Sequence, residues 1–128
     1  MGLWIFRCFL SVSGRDLIGE WVHALPQKAQ LKLQIILQHL RDSPVDDWVR
    51  PFFAPLEQGI FEVRFKSRNV LFRLLGFFGP RSGDFTFLVG AREHGDRLEP
   101  RNSLETAQQR RQIVLAEDRR SHECTFEE

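Results

Sequence analysis

Seven side chains between positions 64 and 97 have the types and spacing to do chemistry: Arg64, Lys66, Arg68, Arg73, Arg92, His94 and Arg97. A guanidinium is planar, permanently charged and able to bind phosphate or carboxylate in a bidentate way. A histidine changes charge near neutral pH and can serve as general acid or base. Arginines converging on one face are the means of binding an anion and of stabilising charge that builds on it. The competing reading is that Arg73 pairs with Glu62 or a helix carboxylate, that the other cations are solvated, and that His94 is an exposed loop residue.

Strand register decides between these readings. Phe61, Val63 and Phe65 alternate with Glu62, Arg64 and Lys66, a period of two with one apolar and one charged face. Residues 70–78 are apolar apart from Arg73 and Gly76, which suits a central strand, and residues 85–91 form a third strand. If Arg68-Asn69 is a two-residue hairpin loop, Arg64 lies opposite Arg73; a three-residue loop would send them to opposite faces. The two-residue loop is favoured, because Asn tolerates the positive φ such a turn demands. Pairing Phe78 with Phe85 in the next hairpin then sets Arg92 across from Leu71, on the face of Arg64, Arg73 and Lys66. Four cations would meet there, with mutual repulsion of roughly 0.2–1 kcal/mol per directly opposed pair.

The elements that must position this face are short, and the chain of 128 residues is the size of one domain. Residues 4–10 read as an aromatic-rich strand rather than a signal peptide or membrane span. Ser13 offers a helix cap, followed by the helical spacing Ile18, Trp21, Val22 and Leu25; Pro26 ends that helix and can open the next. The second helix shows the stripe Ala29, Leu33, Ile36, Leu37 and Leu40. Residues 44–58 read as an irregular connection pinned by Trp48, Phe52 and Phe53. Asn102 with Glu105 forms a capping-box pattern for a closing helix through Leu104, Ala107 and Val114. The expected architecture is α+β: an N-terminal strand, a helical hairpin, a three-stranded antiparallel meander and a C-terminal helix, with the helices on one side of the sheet. Residues 1–118 form the domain, and residues 119–128 are expected to be a disordered polar tail.

The net charge of +1 excludes nothing, but its distribution is uneven: residues 1–59 are neutral, residues 60–111 carry +4 and residues 112–128 carry −3. Cys8 and Cys124 stand at opposite ends of the chain without metal-ligand spacing, so two reduced thiols are expected. No zinc pattern, Gly-rich phosphate loop or nucleophile triad is present.

The run Gly59-Ile60-Phe61-Glu62-Val63-Arg64-Phe65-Lys66-Ser67-Arg68 resembles the Gly-hydrophobic-aromatic-Glu-hydrophobic-Arg signature of phage-derived, HigB-like members of the RelE/ParE superfamily. Val70-Leu71-Phe72-Arg73-Leu74-Leu75-Gly76-Phe77-Phe78-Gly79 is similar to that family's next strand. Residues 85–96 are similar to its third strand and loop, and residues 102–111 to its closing helix. The resemblance implies a RelE-like fold and a toxin of a type II toxin–antitoxin pair. It implies an endoribonuclease cutting mRNA at the ribosome, in which the 2′-hydroxyl attacks the adjacent phosphate. Carried onto this chain, Arg64 and Arg73 would stabilise the phosphorane, and His94, in a stretch that departs from the family's pattern, is the candidate for moving protons. Lys66, Arg68, Arg92 and Arg97 would hold RNA, without metal or cofactor. The implied partners are mRNA, the ribosome and a helix-turn-helix antitoxin, in the cytoplasm and away from membranes. A non-catalytic toxin or degenerate relative binding a protein such as gyrase is the alternative. Where relatives carry an aromatic residue and paired lysines, this chain has Ala91-Arg92-Glu93-His94-Gly95, and it has no Tyr on which to stack a base. Both departures bear on cleavage more than on binding.

Overall fold

The structure, a computed structural model, describes residues 2–126. Its elements in chain order are β1 (Ile5–Phe9), α1 (Leu17–His23), α2 (Gln27–Arg41), β2 (Phe53–Pro55), β3 (Phe61–Ser67), β4 (Val70–Phe78), β5 (Asp84–His94), β6 (Arg97–Glu99), α3 (Ser103–Ala116) and β7 (Ser121–Glu123). The mixed α+β class agrees with the sequence, but the sheet is larger than a three-stranded meander. It has seven strands in the order β2-β3-β4-β5-β1-β7, with β6 pairing β5. β1 does not stand apart: it lies parallel to β5, with Phe6 opposite Phe85 and Cys8 opposite Phe87.

Local chemistry explains most of the element boundaries. Asp16, not Ser13, caps α1, its Oδ1 accepting from the Gly19 N–H at 2.8 Å. Pro26 occupies the cap position of α2, where its missing N–H costs nothing. Asn102 stands at the cap of α3, yet its side chain makes no capping bond, so the expected capping box is not formed. In the segment before β3, Trp48 and Phe53 are buried while Phe52 is exposed.

The sheet is covered on both faces. α1 and α2 lie on one side, where Trp21 meets the edges of Phe65 and Phe72, and Arg41 lies over Phe6. α3 lies on the other, with Arg110 over the ring of Phe9, which alternates with Cys8 on β1. The expectation of helices on a single side is therefore corrected. The aromatic core, including Phe6, Phe53, Phe85, Phe87 and Trp48, sits between α2 and the sheet.

The C-terminal segment also departs from expectation as far as residue 126, while residues 127 and 128 of the expected tail lie outside the described residues. It forms β7 antiparallel to β1, with Ser121 opposite Phe9 and His122 opposite Cys8, and Phe126 is buried against Phe87. Cys124 is joined to Cys8 by a disulfide that spans 116 positions of sequence, in place of two reduced thiols. The tail's overall polarity hides the two residues, Cys124 and Phe126, that anchor it.

Candidate nucleic-acid interface

The β3–β4 hairpin closes with the two-residue loop. Ser67 pairs with Val70, and Arg68 and Asn69 both take positive φ, 52° and 68°. Arg64 accordingly lies directly opposite Arg73, with Lys66 on the same face. This is the α3 side of the sheet.

The next hairpin begins as expected, with Phe78 opposite Phe85, but its register slips between Leu75 and Gly76. Leu75 pairs with Val89 and Gly76 with Phe87, so Leu88 is the extra residue of a bulge. The Leu88 carbonyl accepts a hydrogen bond from Arg110 Nη1 at 2.8 Å, and burial lowers the pKa of that guanidinium from its ordinary value. One inserted residue inverts every side chain beyond it. Arg92 therefore lies opposite Phe72 rather than Leu71, on the α1 side, and the four cations do not meet.

On the α3 side the arginines are not free. Glu62, only 2% exposed, places Oε2 at 2.8 Å from Arg64 Nη1 and Oε1 at 3.3 Å from Arg73 Nη1. Arg73 Nη2 also pairs with Glu93. Two carboxylates thus neutralise two guanidiniums that are each about four-fifths buried. Glu62 Oε1 and Arg73 Nε are buried without a hydrogen bond of good geometry, so the network is close-packed but incompletely satisfied. The pairing of Arg73 with Glu62 was legible from the alternation of β3; the contribution of Glu93 was not, because the bulge sets its face.

On the α1 side the remaining residues gather around the β5–β6 hairpin. Arg92 pairs across the strands with Glu99 and His94 with Arg97. The His94 side chain is 77% exposed, with Nδ1 3.8 Å from Glu99 Oε2. A cleft of about 340 Å³ is lined by Arg92, His94, Arg97, Leu98, Glu99 and Arg101. A second, of about 390 Å³, includes Trp21, Leu25, Arg68, Val70, Phe72 and Arg92. His94 therefore stands on the opposite side of the sheet from Arg64 and Arg73, and the three do not form one constellation. Trp21 and Arg101 join the basic side without having been singled out in the sequence. Trp21 read as core, and Arg101 as part of a loop whose course depends on β6.

Among the described residues no cluster of His, Cys, Asp and Glu is placed to hold a metal ion. No helix is long and apolar enough to cross a membrane. No curated protein matches the chain significantly. The model of the family described as Phage derived protein Gp49-like (DUF891) matches residues 20–112, which include the second half of α1, all of α2, the β3–β4 hairpin, β5, β6 and most of α3. This is well over half of the chain, and the protein belongs to that phage-derived family.

Proposed function

We propose that this protein is a HigB-like toxin of a type II toxin–antitoxin pair, in a RelE-like fold, that acts on mRNA at the ribosome as an endoribonuclease. The observation that carries the reading is the direct opposition of Arg64 and Arg73 across the β3–β4 hairpin, with Lys66 beside them. Like charges set opposite one another are mildly unfavourable in a sheet, and two carboxylates are spent on holding them. A phosphate entering this face would exchange with Glu93, the more exposed of those carboxylates, and leave Glu62 to fix both guanidiniums in place. Arg64 and Arg73 would then stabilise the phosphorane, with Lys66 beside them on the flanking strand, while Arg68, Arg92 and Arg97 would meet RNA from the other side of the sheet. His94 faces the opposite side of the sheet from the opposed arginines, so it is not the group proposed to move protons at that phosphate. Family membership supports a cognate antitoxin, of helix-turn-helix type, and ribosomal action implies the cytoplasm.

Induced expression tests this. Arrested growth with new mRNA 5′ ends inside codons, both abolished by Arg73→Ala at equal protein level, is the expected result. Arrest with intact transcripts refutes cleavage. A specific observation favours the second reading, a non-catalytic toxin or relative that binds a protein such as gyrase: Glu93 pairs with Arg73 where the family's lysines would add positive charge. Loss of DNA supercoiling with intact mRNA would select it.

A further inference from the structure

The cations that can receive a ligand without first losing a partner are not the opposed pair. Arg68, Arg92, Arg97 and Arg101 have exposed side chains and make no ion pair or side-chain hydrogen bond among the described residues. All four line the two clefts of the α1 side, and Arg92 belongs to both, so the clefts adjoin. The one carboxylate lining either cleft is Glu99. At one end the lining becomes apolar and aromatic: Trp21, Leu25, Val70 and Phe72 sit between Arg68 and Arg92. Trp21 is held in place there, because its indole lies against Gly90, where any Cβ would collide with it.

We infer that this side of the molecule is a track for a single-stranded RNA, distinct from the face of Arg64 and Arg73. One base enters the Trp21–Phe72 cleft, and successive phosphates rest on Arg68, Arg92, Arg97 and Arg101. This deepens the RNA-directed reading above and rests on it. Unstacked bases next to apolar or aromatic side chains, with guanidiniums along the backbone, are how proteins hold single strands. Two features favour a nucleic acid over an acidic peptide. The aromatic part is confined to one cleft, too short for the stripe of an amphipathic helix. The cations continue beyond it, as an evenly charged backbone requires.

The test uses the whole chain and a short 2′-O-methyl oligoribonucleotide, which has no free 2′-hydroxyl to attack. Its affinity is measured by fluorescence anisotropy as a function of salt. Each of Arg68→Gln, Arg92→Gln, Arg97→Gln and Arg101→Gln should reduce the slope of log K against log salt by about 0.7 per phosphate contact removed. Lys32→Gln, on the exposed side of α2, should leave it unchanged. Wild-type slope in all four arginine variants overturns the track while leaving RNA cleavage to be decided by the 5′-end mapping above. Equal affinity for poly-glutamate, lost in the same variants, overturns the choice of nucleic acid. Absence of any oligonucleotide binding alongside intact cellular mRNA refutes the track and the nuclease reading together.

Discussion

Opening the Cys8–Cys124 bond should lower the stability of the fold by an amount set mainly by chain length. The two residues are 116 positions apart. The loop-closure entropy for that separation corresponds to about 4.8 kcal/mol at 25 °C, within the range of about 2–5 kcal/mol for removal of native bridges from small domains. With ~2.1 cal/mol/K per residue, unfolding 128 residues carries an entropy of ~0.27 kcal/mol/K, so a loss of about 2–4.8 kcal/mol lowers the melting temperature by about 7–18 °C. Cys124→Ser is the cleaner variant, because Cys8 is fully buried and a serine there would bury a hydroxyl as well. The assay compares thermal unfolding of the oxidised protein, the reduced protein and Cys124→Ser, after thiol alkylation and mass measurement establish the redox state of each. The oxidised protein should resist alkylation, and the other two should melt together at the lower temperature. Coincident melting of all three, with the bridge shown to be present, refutes the entropic argument. Two alkylated thiols after exposure to oxidised glutathione refute the placement of β7 beside β1.

Glu62→Ala should cost about 3 kcal/mol in urea unfolding, because it leaves two mostly buried guanidiniums without their shared carboxylate; a cost under about 1 kcal/mol would mean that the pairs are solvated. Gly90→Ala should cost about 2–3 kcal/mol through displacement of the Trp21 indole, read by denaturant unfolding and near-ultraviolet dichroism. On the proposed nuclease reading, Glu93→Gln removes the partner that Arg73 would exchange for phosphate, so mRNA cleavage should rise several-fold over wild type at equal expression; unchanged or lower cleavage would show that Glu93 does not compete. The Asp118 carboxylate is held below its usual range by its hydrogen bond with Arg81 at 2.9 Å. A depressed folded pKa gives stability that is present above the unfolded value and lost as pH falls through the folded one. Arg81→Gln should therefore flatten the acid limb of the stability profile below about pH 4, and an unaltered limb would exclude the pair as a contributor.

The parts of the fold legible in the sequence are those fixed by neighbours along the chain. Alternation in residues 61–66 gave the faces of β3, and Asn69 gave the hairpin loop, because a tight two-residue turn needs positive φ and Asn tolerates it, with Arg68 held there alongside. The stripe from Ala29 to Leu40 likewise gave the buried face of α2. What failed depends on distant partners. Nothing local in residues 5–9 says that β1 runs parallel to a strand eighty residues later. Nothing local marks Leu88 as a bulge, since it is as apolar as its neighbours and is distinguished only by the Arg110 donor waiting at its carbonyl. That single residue moved Arg92 and His94 to one side and Glu93 to the other, and so changed the candidate site more than any misread helix boundary.

The C-terminal strand raises a related question, because both cysteines lie outside the residues that match the family. Without β7, β1 would be the sheet edge, with unpaired backbone groups beside a buried aromatic face. Besides the disulfide and the strand pairing itself, side-chain contacts hold this segment there, among them Arg7 donating to Ser121 Oγ and to the Ser121 carbonyl, His122 Nε2 at 2.9 Å from Asp16 Oδ2, and Phe126 packing on Phe87. Asp16 is also the cap of α1, so the His122 contact ties the last strand to the helix that carries Trp21. In any reducing compartment the bridge would be open for most of the time, and these contacts with the strand pairing would keep the edge covered. Bridge formation would then add stability without altering the strand's position. Its effect on the Trp21 cleft would be transmitted through Asp16, as reduced mobility of α1 rather than as movement of the arginines.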